Sequence, residues 1–224
     1  MHKKNNIILK NVAILTSKRS WFVPYAKEFV KNLKEKGHQS ELFYKHEDIR
    51  NDYQVVFILS YFNIINERFL KEHKHNLVIH ESLLPQGKGW APLFWQILEG
   101  RNKIPIVLFE ATSEVDAGDI YIKDYIRLEG HELHDEIRRL QAQKSIEMCL
   151  YFLENYENLK PINQSGKETY YARRTLKDSE LEIDKSIREQ FNLLRIVKND
   201  EFPAFFLHQG YKYIVKIFKE ENCK

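Results

Sequence analysis

His80 and Asp116 are the two residues whose types and surroundings best suit proton transfer. Histidine titrates near neutrality, and a carboxylate beside it orients the ring and supports its charged form. The two stand 36 residues apart. The stretch between them opens as His80-Glu-Ser-Leu-Leu-Pro-Gln-Gly-Lys-Gly-Trp-Ala-Pro92 and closes as Val115-Asp-Ala-Gly-Asp-Ile120. The chain has only 8 glycines, about half the usual share of roughly 7%. Gly87, Gly89, Gly100 and Gly118 fall between residues 87 and 118, as do Pro92 and Pro105. A chain sparing of glycine places it where the backbone excludes a side chain. His80 alone would read as a buried structural histidine, and Asp116 alone as a turn residue before Gly118. Together, on either side of a Gly/Pro-rich loop, they read as a general acid/base pair.

Two other clusters carry weaker signals. Ser17 to Trp21 follow an apolar run, where many α/β proteins hold an anion at a helix N-terminus. Lys18 and Arg19 there either bind a phosphate of a substrate or form a solvated basic loop. His131 and His134 would share a helix face beside Asp135, but no third ligand accompanies them. The segment reads as a helix start, and no metal is expected.

The elements that must position this chemistry follow from periodicity. Asn11–Thr16, Gln54–Leu59 and Asn76–His80 are short apolar runs suited to buried strands. A helix from about Pro24 to Gly37 lies between the first two, and a shorter one over Asn66–Glu72 precedes the third. Alternating strands and helices at this pace predict a mostly parallel sheet, with His80 delivered to the crevice at a strand's carboxyl end. Pro92–Glu99 reads as a helix closed by Gly100, Ile106–Phe109 and Ile120–Ile122 as strands, and Glu132–Asn155 as a long helix. Lys160–Lys167 is the candidate linker, giving a catalytic domain over 1–160 and a small accessory region over 161–224. The latter is expected to hold a strand near Tyr170, a helix over Ser186–Val197 and a hairpin turning at Gln209-Gly210. The expected class is α/β, Rossmann-like, with a small C-terminal α+β appendage ending in a β-hairpin.

Composition limits the alternatives. The chain has 224 residues, 43% of them hydrophobic and 13% aromatic, enough to build a core. No apolar run reaches the roughly 18 residues that cross a bilayer, and the N-terminal residues lack the pattern of a secretory signal. Two cysteines, Cys149 and Cys223, make neither a disulfide framework nor a four-cysteine metal site, so a reducing cytoplasm is expected. The formal charge is +3 overall but +6 over residues 1–50 (11 Lys/Arg, 5 Asp/Glu). That suits an anionic small ligand better than nucleic acid, which calls for a denser basic face.

The segment Val55–Tyr121 closely resembles the folate-dependent formyltransferases, a family that includes methionyl-tRNA, glycinamide-ribonucleotide and amino-sugar N-formyltransferases. The matching residues are His80, Ser82-Leu-Leu-Pro85, Gly89, Pro92, Gly100 and Asp116-Ala-Gly118, with the same spacing from His to Asp. Tyr171-Ala-Arg-Arg-Thr, Asn192-Leu-Leu-Arg195 and Phe202-Pro-Ala-Phe resemble the family's accessory region. The resemblance implies a catalytic pair of His80 and Asp116, with N10-formyltetrahydrofolate as co-substrate. It implies that the pterin meets the loop Ser60-Tyr61-Phe62 and the loop Val115–Gly118. One departure stands out: the family's Asn-x-His places Asn where this chain has Val78. Loss of one preorganised oxyanion donor typically costs about 2.7–4 kcal/mol, or roughly 10²–10³ in rate. Ser82, Asn63, a backbone N–H or a protonated His80 could serve in its place. Asn76 lies on the same strand face but about 7 Å from position 78, too far to do so.

For the acceptor, the resemblance favours the amino-sugar members, which act on nucleotide-linked amino sugars for surface glycans. Methionyl-tRNA members carry a full C-terminal domain for the tRNA, against about 60 residues after the linker here. Glycinamide-ribonucleotide members have a Gly-rich first loop where this chain has Ser17-Lys-Arg-Ser-Trp. Acceptor contacts implied by the resemblance or by position are Ser82, Trp90, Lys18, Arg19, Arg174, Asn192 and Arg195. Arg173, Arg174, Asn192 and Arg195 read equally well as a surface salt-bridge set, and Trp90 as packing. The alternatives are a catalytically impaired folate- or sugar-binding relative, and a formyltransferase for methionyl-tRNA or another amine. The apolar C-terminal hairpin is either a homodimer surface or the appendage's own core.

Overall fold

The computed structural model describes residues 10–220, so Cys223 lies outside the described residues. Its main sheet follows from three apolar runs. β1 (Asn11–Leu15), β3 (Val55–Ile58) and β4 (His75–His80) lie side by side and run parallel. β1 and β3 are buried almost throughout, as expected of parallel strands covered on both faces. α1 (Val23–Glu35) carries the chain from β1 to β2 (Gln39–Phe43), and α2 (Glu67–Glu72) joins β3 to β4. α1 carries Pro24 in its first turn and buries Ala26, Phe29 and Leu33 at helical spacing. Asn66 caps α2 by accepting from the Phe69 N–H at 2.9 Å.

After β4 come β5 (Lys88–Gly89), α3 (Pro92–Leu98), β6 (Lys103–Glu110), β7 (Ile120–Arg127) and α4 (His134–Asn155). The six-stranded order is β2-β1-β3-β4-β6-β7, with β6 antiparallel to β4. The sheet is thus mostly parallel, as the spacing of the elements predicts. Beyond α4 lie β8 (Tyr170–Tyr171), α5 (Phe191–Ile196), β9 (Ala204–His208) and β10 (Tyr211–Val215). β9 and β10 form the expected hairpin around Gln209-Gly210, and β5 pairs with β8.

Three expectations are corrected. Gln39–Phe43 is an edge strand that sequence reading passed over, because only Ser40 and Phe43 in it are fully buried. β6 and β7 run eight residues each, longer than their apolar cores suggest. The predicted helix over Ser186–Val197 shrinks to Phe191–Ile196. Side chains hold the preceding turns open: Glu189 accepts from Ser186, and Gln190 donates to the carbonyls of Glu182 and Lys185.

The chain divides into two compact units. The first holds the described residues up to His80 with Val107–Lys123 and Ser145–Ser165. The second holds Glu81–Ile106, Asp124–Lys144 and the described residues from Gly166 on. In the first, Phe29, Phe57, Tyr121 and Phe152 form a chain of ring contacts through the core. In the second, Leu194, Val197 and Ala204 form a small core with Leu181, Val215 and Ile217. The hairpin residues Leu207, Tyr211, Tyr213 and Ile214 are exposed.

Candidate active site

In the first unit β4 ends at His80, and the loop from β6 to β7 carries Asp116. His80 Nδ1 stands 3.8 Å from Asp116 Oδ1, with the two side chains 8% and 11% exposed. At that depth the attraction between a carboxylate and an imidazolium is much less screened than in water. Asp116 faces the ring from its Nδ1 side, which leaves Nε2 as the nitrogen turned away from the carboxylate.

The Asp116 loop is built tightly. Asp116 itself adopts φ +55°, a left-handed conformation uncommon for a residue with a side chain. Two residues on, a Cβ at Gly118 would sit 1.7 Å from the Glu110 carbonyl oxygen. Glycine is required there by close approach. Glu110 is fixed in turn: its carboxylate accepts from the Asn76 N–H at 2.5 Å and lies 3.2 Å from His75 Nδ1. Burial and Glu110, which bonds its hydroxyl, push Tyr121 up to about 12. On the other side of the loop, Gln164 Nε2 donates to the carbonyls of Asp116 and Gly118 at 3.0 and 2.8 Å.

Val78 pairs with Ile58 on one side and Phe109 on the other, and packs against a cluster including Leu15, Phe43, Ile58 and Phe69. It brings hydrocarbon, and no hydrogen-bond donor, two residues before His80. Asn76 is buried, donates Nδ2 to the Leu70 carbonyl at 2.9 Å, and is thereby committed to α2.

The loop after β3 is tied to the loop after β1. The Ser60 carbonyl accepts from the Ser17 N–H, and Ser17 Oγ accepts from the Phe62 N–H at 2.9 Å. Tyr61 packs on the core, and its hydroxyl meets His46 Nδ1 at 2.9 Å. Phe62 and Val115 are 54% and 64% exposed. Lys18 and Arg19 are exposed on the loop after β1.

In the second unit, Ser82 is buried against Gly87, and its Oγ has no hydrogen-bond partner. The loop that follows is clamped by β8. Lys88 is buried with Nζ 2.5 Å from Glu168, and a Cβ on Gly89 would lie 2.5 Å from the Tyr171 carbonyl oxygen. Arg173 lies over the exposed Trp90 ring at 4.9 Å. Arg174 donates to the Asp178 carbonyl at 3.0 Å, and burial lowers its pKa. Arg195 is 1% exposed. It donates to Asn192 at 2.9 Å and to Asn102 at 2.6 Å, with Glu132 3.5 Å away. Asn192 and Arg195 are therefore joined to each other and to the start of β6. Buried arginines so committed brace a fold more readily than they capture a ligand from solvent.

His134 bonds Asp135 at 2.8 Å and stacks on Phe94. Among the described residues no group of three or more His, Cys, Asp or Glu side chains is placed to hold a metal, and no helix is long and apolar enough to cross a membrane. Sequence reading missed Gln164, Glu110 and Glu168, polar residues in segments that look like linker or strand end. Their roles depend on long-range pairing that no local pattern reports.

Comparison with known proteins places this arrangement. Residues 2–150 match the family model described as formyl transferase. A methionyl-tRNA formyltransferase of Rickettsia prowazekii (strain Madrid E) is 32% identical over 127 residues, covering 56% of this chain and 42% of that protein. The chain thus spans less than half the length of that relative. Among solved structures, one titled methionyl-tRNA formyltransferase from Clostridium thermocellum superposes with TM-score 0.77 at 22% identity, covering 96% of each chain. One titled 4-N formyltransferase from Francisella tularensis gives TM-score 0.73 at 18% identity, covering 96% of this chain and 100% of that one.

Proposed function

The chain belongs to the formyl transferase family, and from that premise we propose that it transfers a formyl group from N10-formyltetrahydrofolate to the primary amine of a nucleotide-linked amino sugar. The observation that carries the reading is the buried His80–Asp116 pair, held in place by a loop that tolerates no side chain at Gly118.

The residues present suit the folate co-substrate. Phe62 and Val115 leave apolar surface in solvent that a planar heteroaromatic ring would cover. They belong to the two loops that the resemblance assigns to the pterin, with Ser60, Tyr61 and Gly118. Of these, Tyr61 acts through packing, because its hydroxyl meets His46, while the Ser60 carbonyl ties its loop to Ser17. When bound, the co-substrate supplies the formyl carbon and the nitrogen that leaves.

The protein's contribution is proton control. A bond forms between the acceptor nitrogen and the formyl carbon, and the bond from that carbon to N10 breaks. His80 Nε2 accepts the acceptor amine's proton and returns it to the departing nitrogen, which balances the exchange. While protonated, the imidazolium also offers positive charge to the formyl oxygen as it gains electron density. Asp116 keeps the ring in the required tautomer and stabilises its charged form. Val78 provides no help to that oxygen, so His80 bears more of the task than a site with an amide donor at this position would ask of it.

For the acceptor, charge supports a small molecule over a polyanion. Residues 161–224 carry 12 Lys/Arg against 10 Asp/Glu. Within this region Lys185, Lys198 and Lys216 pair with Glu182, Glu201 and Asp200, while Lys219 pairs with Glu136 of α4. Cations already matched to carboxylates make a poor track for a phosphate backbone. Trp90 under Arg173 offers an exposed platform for a planar base. The second reading, methionyl-tRNA as acceptor, rests on the 32% identity to the Rickettsia relative.

The test is a transfer assay with N10-formyltetrahydrofolate and separate acceptor panels: nucleotide-linked 3- and 4-amino sugars, and charged initiator tRNA. Formylation confined to an amino sugar supports the proposal, and formylation of the tRNA selects the second reading. Folate binding without transfer to any amine makes the chain an impaired binding relative.

A further inference from the structure

Asp116 serves His80 only while its loop stays in place, and contacts from outside the loop add to those within it. The φ +55° of Asp116 is a conformation that a residue with a side chain keeps only when its surroundings over-determine it. Within the segment 162–164, Gln164 alone meets the turn from Asp116 to Gly118, whereas Asn163 reaches Asp119 beyond it. Ile162 and Ile120 exchange backbone hydrogen bonds at 2.9 Å each. Asn163 Nδ2 donates to Asp119 Oδ1 at 2.6 Å. Gln164, half-buried, spends both Nε2 hydrogens on the carbonyls that flank Ala117.

We propose that Gln164 is a positioning residue for the reaction: its side-chain amide fixes the carbonyls of Asp116 and Gly118 and so holds the Asp116 carboxylate on His80. The amide nitrogen carries two N–H groups, spread so that each reaches one of the two carbonyls. A glutamate of the same size has none, and would set its negative oxygens against both carbonyls. The kinetic part of the idea rests on the formyl-transfer reading above, whereas the structural part does not.

The experiment compares Gln164→Glu, Gln164→Ala and Asn163→Ala with the unmodified chain. Three quantities are read: melting temperature, kcat and KM for both substrates, and the ring ¹⁵N chemical shifts of His80. His73, whose Nδ1 lies 2.8 Å from the Tyr53 carbonyl, is the internal control. Both Gln164 variants are expected to lose roughly 10–10²-fold in kcat, the scale of a small misplacement of a catalytic group. KM stays within about threefold, and the His80 signals move while those of His73 do not. Asn163→Ala keeps kcat and the His80 signals. Unchanged His80 signals in folded Gln164→Glu overturn the proposal, as does an equal effect in Asn163→Ala. If the unmodified chain formylates no amine, the activity reading fails, and the His80 spectra still decide whether Gln164 positions Asp116.

Discussion

His80 Nδ1 and Asp116 Oδ1 stand 3.8 Å apart, with both side chains about nine-tenths buried. The separation is within ion-pair reach and slightly long for a hydrogen bond. Catalytic contacts of this kind often tighten only with substrate present. The pair predicts that His80→Ala removes nearly all transfer activity. Asp116→Asn keeps the shape but loses the charge and the tautomer preference, and is expected to lower kcat by roughly 10²–10⁴-fold. Steady-state kinetics with any working acceptor checks both. Retention of most activity in either variant would count against the pair.

Val78 sits on the His80 face of β4 without a donor. Val78→Asn is expected to raise kcat by up to roughly 10²–10³-fold, the value of one oxyanion donor. It is also expected to lower the melting temperature, because Val78 packs against the cluster around Phe43 and Phe69. A lower kcat instead would mean that this site works around an apolar group.

Gly118 and Gly37 give a matched pair of glycine tests. An alanine methyl at Gly118 would fall 1.7 Å from a backbone oxygen, whereas at Gly37 it meets nothing within 4 Å. Gly118→Ala must displace the Asp116 loop, at a cost of about 1–3 kcal/mol or more. Its kcat is expected to fall together with its stability. Gly37→Ala pays only the strain of φ +88° and keeps full kcat. Urea unfolding and kinetics on the two variants distinguish them, and equal kcat losses would contradict the packing account.

Glu132 links the second unit to pH. Burial alone would raise its pKa, but N–H donors from Glu129 and Gly130, with its own, outweigh that and hold it below the ordinary 4.5. A carboxylate depressed in the folded state contributes stability that is fully present above its unfolded value. That stability is lost as pH falls through the folded pKa. Unfolding free energy should therefore decline below about pH 4.5, and less steeply in Glu132→Gln than in the unmodified chain. Parallel acid-limb slopes would show that Glu132 contributes nothing.

Much of this was legible in the chain itself. β1, β3 and β4 could be read because strands buried on both faces are nearly all apolar. The hairpin could be read because Gln209-Gly210 demands positive φ, which both residues adopt. His80 and Asp116 stood out because glycine and proline gather between them. β2 escaped because, at the edge of the sheet, it fully buries only Ser40 and Phe43 and so lacks an apolar run. Ser186–Gln190 misled because its charged and apolar residues fit helical spacing while Glu189 and Gln190 bind the backbone instead. Gln164 was invisible for a different reason: its partners lie 48 and 46 residues away, and nothing in a polar linker announces a carbonyl clamp. Arg195 was visible as an arginine but not as a buried one, because burial depends on Asn102 and Glu132 arriving from other elements.

The most direct measurement is formyl transfer itself, read by product mass with N10-formyltetrahydrofolate and a nucleotide-linked amino sugar, for the unmodified chain and His80→Ala side by side. The predicted result is a product heavier by one formyl group from the unmodified chain and almost none from the variant. Equal product from both, or product only on charged tRNA, would contradict the account.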